Sequence, residues 1–327
     1  MLKTIFLRGI LALAPIMALA SCGSVFDDLP PCPEGVRLRF VYDYNLEAAN
    51  AFPSQVDCLT LHLYSDDGGD FIATYTVTDP ALLSDENWRM ELDIPSGSYR
   101  AVVYGGIACA DASFAHSEEP RGGSAPEDIR MSLLPSHIGK RLHDHFHGTA
   151  EFEVTAGPEA ADVTVHLSKT TNHFRILLLN VDGRSTDGAD FDFSITDDNA
   201  LLDWKNRPVP GNDVRYTAWA QGAEDVTTRA GEGSTVAFAE LSTSRLHYST
   251  DPVLLISNHH TGKEIIRLPL KKYLLLSKNA ADPWGDQEYL DRCSRWNLTF
   301  FLDSDNQWAQ TRIIVNGWTV RLNPSDF

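Results

Sequence analysis

Short runs in which apolar and polar residues alternate recur along most of the chain, and that period of two constrains the fold most. A strand turns successive side chains to opposite faces, so alternation marks a half-buried strand. Val36 to Tyr42 alternates at its start, and Leu59, Leu61 and Leu63 alternate with Thr60, His62 and Tyr64. Asp66-Asp67-Gly68-Gly69-Asp70 is a turn signal and Phe71 to Val77 resumes a strand, so the two runs read as a β-hairpin. Trp88 to Ile94 and Tyr99 to Tyr104 flank a second turn, Pro95-Ser96-Gly97-Ser98, and Gly148 to Thr155 and Asp162 to Leu167 complete the set. A second set opens near Thr170. It runs through Phe174 to Leu179, Phe191 to Ile195, Arg215 to Ala220, Ser234 to Leu241, Val253 to Asn258, Glu264 to Leu270, Trp296 to Leu302, Ala309 to Val315 and Trp318 to Leu322. Helical signals are confined to Asn45 to Ala51 and Lys271 to Leu276. The expectation is an all-β chain of two tandem β-sandwiches, residues 36–168 and 169–327, split near Ser168 to Thr171. A length of 327 residues suits two domains.

The N-terminus reads as an address. Lys3 and Arg8 precede an apolar run from Gly9 to Ala20, too short to span a bilayer and of the length of a secretory signal. Leu19-Ala20-Ser21-Cys22 ends it. Small residues directly before a Cys resemble the bacterial lipobox, in which the cysteine is acylated and becomes the first residue. Residues 1–21 are then a lipoprotein signal peptide and residues 22–35 a lipidated tether. Each acyl CH₂ placed in a bilayer adds about 0.8 kcal/mol of anchoring. Asp27 and Asp28, just after Cys22, resemble the surface-export signal of Bacteroidetes lipoproteins.

Charge narrows the partners. Acidic residues outnumber basic ones 45 to 27, for a formal charge of −18. Residues 1–21 hold two basic residues and no acidic one, so their removal takes the charge to −20. No basic stripe exists for a nucleic-acid backbone, and nucleic acid is not expected as a partner. Besides Cys22 there are four cysteines. Cys32, Cys58 and Cys109 lie in the first half, where one disulfide is expected with its pairing open, and Cys293 stands alone as a free thiol.

Candidate chemistry is sparse. His143, His145 and His147 follow one another at every second position, which on a strand would turn three imidazoles to one face as for Zn²⁺. Splayed neighbours and the lack of an H-E-x-x-H arrangement leave them weak candidates, and no metal or other cofactor is expected. His259-His260 reads as an exposed turn. The acidic run Asp182 to Asp190 lacks EF-hand spacing and reads as a hairpin loop. No nucleophile elbow, P-loop or dinucleotide fingerprint occurs, so the chain is read as no enzyme. Trp219, Trp284, Trp296, Trp308 and Trp318 all fall in the second half and read as core. Ala110 to Leu142, rich in Gly and Pro, reads as a long connection of the sort that binds something or moves.

Several strings together resemble one family. Cys32-Pro33-Glu34-Gly35-Val36 through Tyr44-Asn45 resembles the start of the FimB-type fimbrial anchor lipoproteins of Bacteroidetes. So do Ala49-Asn50-Ala51-Phe52, Val56-Asp57-Cys58-Leu59-Thr60-Leu61, and Gly97-Ser98-Tyr99 running into Tyr104-Gly105-Gly106. Phe146-His147-Gly148 and Asn316-Gly317-Trp318 match later positions, so the likeness spans nearly the whole chain after Cys22. The resemblance implies two transthyretin-like or Ig-like sandwiches in a minor subunit at the base of a type V pilus. Cys22 would hold the outer membrane, and the body would cap a fimbrial shaft subunit and set the fimbria's length. Shaft subunits of this kind join by strand exchange. By chain position the donor candidate is Thr311 to Leu322, with Thr311, Ile313, Val315, Trp318, Val320 and Leu322 as its residues. Val36 to Tyr42 would stay in place. No long pro-segment separates Cys22 from the first strand, as expected of an anchor that needs no proteolytic activation. The alternative on the same scaffold is a surface adhesin or glycan-binding lipoprotein using the Ala110 to Leu142 loop.

Overall fold

The computed structural model describes residues 35–157, 160–227 and 233–321. Cys22, Cys32 and Leu322 lie outside them. Nine strands come from the first half. They are β1 (Val36–Tyr44), β2 (Leu59–Ser65), β3 (Phe71–Val77), β4 (Met90–Leu92), β5 (Gly97–Gly105), β6 (Phe114–His116), β7 (Arg130–Leu133), β8 (Phe146–Val154) and β9 (Ala161–Lys169). The second half supplies β10 (Asn172–Asn180), β11 (Phe191–Asp197), β12 (Leu201–Asp203), β13 (Val214–Thr217), β14 (Ala220–Thr227) and β15 (Gly233–Thr243). It continues with β16 (Val253–Asn258), β17 (Glu264–Pro269), β18 (Arg295–Leu302), β19 (Trp308–Val315) and β20 (Trp318–Arg321). Four short helices interrupt the strands: α1 (Phe52–Gln55), α2 (Pro80–Leu83), α3 (Leu270–Leu275) and α4 (Asp286–Arg292). The chain is all-β, as the alternation requires.

Seven first-half strands form one sheet in the order β3-β2-β5-β8-β9-β1-β4. β8 and β9 pair through Phe146–Lys169 and His147–Ser168, and the sheet folds over there. Leu59, Leu61 and Leu63 of β2, Ala101 and Val103 of β5, Leu38 and Phe40 of β1, and Val165 and Leu167 of β9 meet in one core. Each such buried aliphatic side chain stabilises by about 1.5–3 kcal/mol over an exposed one. Gly148 permits the close approach at the fold: a Cβ there would stand 2.5 Å from the His166 carbonyl oxygen.

Second-half strands form a six-stranded sheet, β14-β15-β10-β18-β19-β20, and a four-stranded sheet, β13-β11-β16-β17. Both halves place their first strand inside a sheet, parallel to a late strand: β1 beside β9 and β10 beside β18.

The last sheet, β12-β7-β6, mixes the halves. Leu201, Leu202 and Asp203 of β12 pair with Ser132, Met131 and Arg130 of β7. The segment expected to be a long open connection is therefore partly sheet. Its strands are three and four residues long among Gly and Pro, so they carry too little alternation to be read locally; pairing across the molecule makes them. The junction between halves is buried. Lys169, Thr170, Thr171 and Asn172 are each less than 5% exposed, unlike the open linkers that usually separate mobile domains.

Candidate functional site

The β6–β7 pair lies over the outer face of β2 and β5. That face carries His62, Tyr64, Val102 and Tyr104, and Phe114, Ile129, Met131 and Leu133 pack on it in a core shared with the second half. His62 Nε2 lies 2.8 Å from His116 Nε2 of β6, and His62 Nδ1 lies 2.8 Å from the Thr74 hydroxyl. Tyr104 packs edge-on to His116, with ring centres 5.3 Å apart, and stacks with His145 at 5.8 Å. Burial pushes His62 down to about 3 and His116 to about 4, so both rings are neutral at physiological pH.

The three alternating histidines separate. β8 begins at Phe146, so His143 and His145 precede it. His143 sits between two carboxylates, with Nε2 3.1 Å from Asp57 and Nδ1 3.1 Å from Asp111. His145 is buried and hydrogen-bonds the Thr170 hydroxyl. His147 Nε2 lies 2.8 Å from the Trp204 carbonyl oxygen, a contact from one half to the other. Asp57, Cys109 and His143 offer the one metal-like grouping among the described residues, but the Cys109 sulfur is spent in a disulfide to Cys58. That bridge ties the start of the cover to the start of β2. Cys293 is free and buried, which pushes its thiol up to about 11.

Asp144 fastens the junction. Lys169 Nζ donates to its Oδ2 at 2.6 Å, and His173 Nε2 lies 2.7 Å from its Oδ1. Burial opposes charge on Asp144, but the hydrogen bond from His173 and the Lys169 ammonium outweigh it and hold the carboxyl well below its usual range. Burial pulls Lys169 down despite the same partner. The carboxylate gains from this pair more than the ammonium does. Arg292 of α4 adds a second clasp, with its guanidinium over Tyr44 at 4.2 Å and Trp284 at 5.0 Å while donating to the Asn45 carbonyl.

At the other end of the chain, β19 lies inside its sheet between β18 and β20, with Ile313 and Val315 fully buried. Thr311 falls in β19 and Val320 in β20. β20 is the sheet edge, and Trp318 on it is 60% exposed. Of the five tryptophans expected in the core, Trp296 and Trp308 are there, Trp219 and Trp284 are half-buried, and Trp318 is not, because it stands on an edge strand. A surface pocket of about 460 Å³ sits in the β6–β7 turn, lined by Glu118, Glu119, Arg121, Asp128 and Arg130 among others. The covered face and β6–β7 went unread in the sequence. The only signal for them was the bulk of Tyr64 and Tyr104 at positions that alternation assigns to solvent.

The model of the Mfa2 family, described as fimbrillin-A associated anchor proteins Mfa1 and Mfa2, matches residues 29–324. The chain belongs to this anchor-protein family. Among solved structures, this anchor-family chain is similar to a candidate adhesin of Bacteroides thetaiotaomicron. The two are 40% identical, with 90% of this chain and 100% of that one covered and a TM-score of 0.85. A candidate polysaccharide-binding protein of the same organism is 25% identical over 90% of this chain and 99% of that one, with a TM-score of 0.78. The fimbrial anchor protein Mfa2 of Porphyromonas gingivalis, 16% identical over 89% of this chain and 100% of that one, shares the fold at a TM-score of 0.65. No curated protein sequence matches the chain.

Proposed function

We propose that this chain is a structural subunit that ends a fimbria and tethers it to the outer membrane through acylated Cys22, limiting the fimbria's length. The observation that carries the reading is membership of the anchor family over residues 29–324 in a chain whose first 22 residues read as a lipobox signal. The body above the tether is two tandem sandwiches, and its partner is a fimbrial shaft subunit. No catalytic step and no cofactor enter. Within the donor candidate Thr311 to Leu322, β20 is the part free to meet a neighbouring strand. Withdrawing β19 would empty a core that holds Ile313 and Val315, whereas an edge strand accepts a partner without loss. β1 already lies between β9 and β4, so its own chain fills that place.

The test is Cys22→Ala in the native host. The expected result is fimbriae, or over-long fimbriae, shed into the medium. Fimbriae that stay cell-bound at unchanged length would sink the reading. A second reading, a surface adhesin, is favoured by the pocket in the β6–β7 turn. It requires the purified chain to bind glycan or matrix protein with no fimbrial subunit present, and to lose that binding in Arg121→Ala.

A further inference from the structure

The outer face of β2 and β5 is closed by a flap that is hydrogen-bonded through its backbone to β12 and to Phe71 of β3, and that meets β2 itself through neutral imidazoles. His62 on β2 and His116 on β6 meet nitrogen to nitrogen at 2.8 Å, so one ring must donate and the other accept: the accepting ring must be neutral, and a pair protonated on both rings cannot form the bond. His62 is wholly buried, and its other nitrogen is held by Thr74 of β3. The other nitrogen of His116, Nδ1, has no hydrogen-bond partner among the described residues, and neither does Nε2 of His145, stacked on Phe114 of β6. An imidazolium at either place would carry a buried N–H with nowhere to donate. The charged groups that reach this seam act elsewhere. Asp203 and Arg245 of the second half act on His147, Asp203 also acts on Tyr104, and Glu127 and Asp128 of the flap act on Tyr64. Tyr104 of β5, between the rings, is held neutral by burial. No carboxylate hydrogen-bonds His62 or His116 among the described residues.

We propose that β6 and β7 form an acid-released flap: the neutral His62–His116 pair latches it over β2 and β5, and protonation of that pair frees it, together with its pairing to β12, while the seven-stranded and six-stranded sheets stay folded. The flap remains attached, because the Cys58–Cys109 disulfide holds its start. Opening exposes Tyr64, Val102 and Tyr104. The size of the effect follows from linkage. An imidazole freed into water titrates near 6.5, whereas burial holds this pair at about 3 and about 4. At pH 4.5 each ring therefore favours the open flap by on the order of 10²-fold relative to neutral pH.

Hydrogen exchange of the full chain at pH 7.5 and pH 4.5, corrected for the intrinsic rate, tests this. Peptides spanning residues 113–134 should lose at least about 100-fold protection at the lower pH, while β10 and β18 keep theirs. In His62→Gln/His116→Gln, whose amides bond without charging, the loss should be at least about tenfold smaller than in the wild type, His145 beside Phe114 accounting for what remains. Equal changes in the flap and in β10, or a wild-type loss in the double variant, would overturn the proposal. If the double variant fails to fold, histidine ring NMR on the wild-type chain decides. His62 and His116 should titrate over the pH range in which the flap loses protection; rings still neutral with the flap open would overturn it.

Discussion

At the scale of single residues, the junction between halves rests on charge placed where water cannot reach it. The Lys169 side chain is 1% exposed, and its ammonium is offset mainly by Asp144. Breaking a buried pair from one side strands the other charge and typically costs about 3–5 kcal/mol, whereas replacing both partners by apolar groups is often neutral. Asp144→Asn should therefore destabilise by about that amount in urea unfolding, and Asp144→Asn/Lys169→Met should recover most of it. A double variant as unstable as the single one would show that the pair's own attraction, and not the stranded charge, is what matters. Gly148 is a second such point. A Cβ there meets the His166 carbonyl oxygen at 2.5 Å and a Leu167 methyl carbon at 2.6 Å, so Gly148→Ala must push β8 from β9. The expected loss is about 1–3 kcal/mol, read as a lower urea midpoint, because neighbouring backbone cannot give way as a flexible side chain would. Neither residue announces this role by type, since a lone Asp or Gly has many uses and only the packed structure selects one.

At the scale of elements, alternation found most strands because each has a buried face with period two. It finds β2 but not the burial of that strand's second face, and it misses strands that are very short. β2 was expected to be half-buried, with Thr60, His62 and Tyr64 turned to water, yet all three are buried beneath the flap. The covering strands β6 and β7 hold seven residues between them and owe their form to each other and to β12. The helix expected at Lys271 to Leu276 is α3, one residue earlier, while α4 gave no signal that was read. Of the cysteines expected to include a disulfide, the structure joins Cys58 and Cys109, 51 residues apart. Closing a loop of that size should contribute about 2–4 kcal/mol. Reduction, or Cys58→Ser/Cys109→Ser, should lower stability by that amount and loosen residues 109–134 first, as limited proteolysis would record. Uniform loosening of both halves would contradict the assignment of the bridge to the flap.

At the scale of the whole molecule, the buried imidazoles tie stability to pH. His62, His116, His145, His147 and His247 are held at about 3 to about 4 by burial, against an ordinary 6.5. Lowered bases contribute stability that is complete above their unfolded value and is lost as pH falls toward the folded one. Asp197 works the other way: burial lifts it to about 6, so it favours the fold as it takes up its proton. Five imidazoles against one carboxyl should make the urea midpoint flat above about pH 7 and falling from pH 6.5 to 4. A midpoint that rises on acidification would contradict the burial of the imidazoles. The acidic chain is then a body whose two halves meet at a buried seam and which carries β20 at an edge of the six-stranded sheet among the described residues. The function proposed above puts this body at the membrane end of a fimbria. Immunogold labelling of the protein on intact cells measures that placement directly. The account predicts gold at the membrane-proximal end of each fimbria, whereas gold at the distal tips, or on membrane that bears no fimbriae, would contradict it.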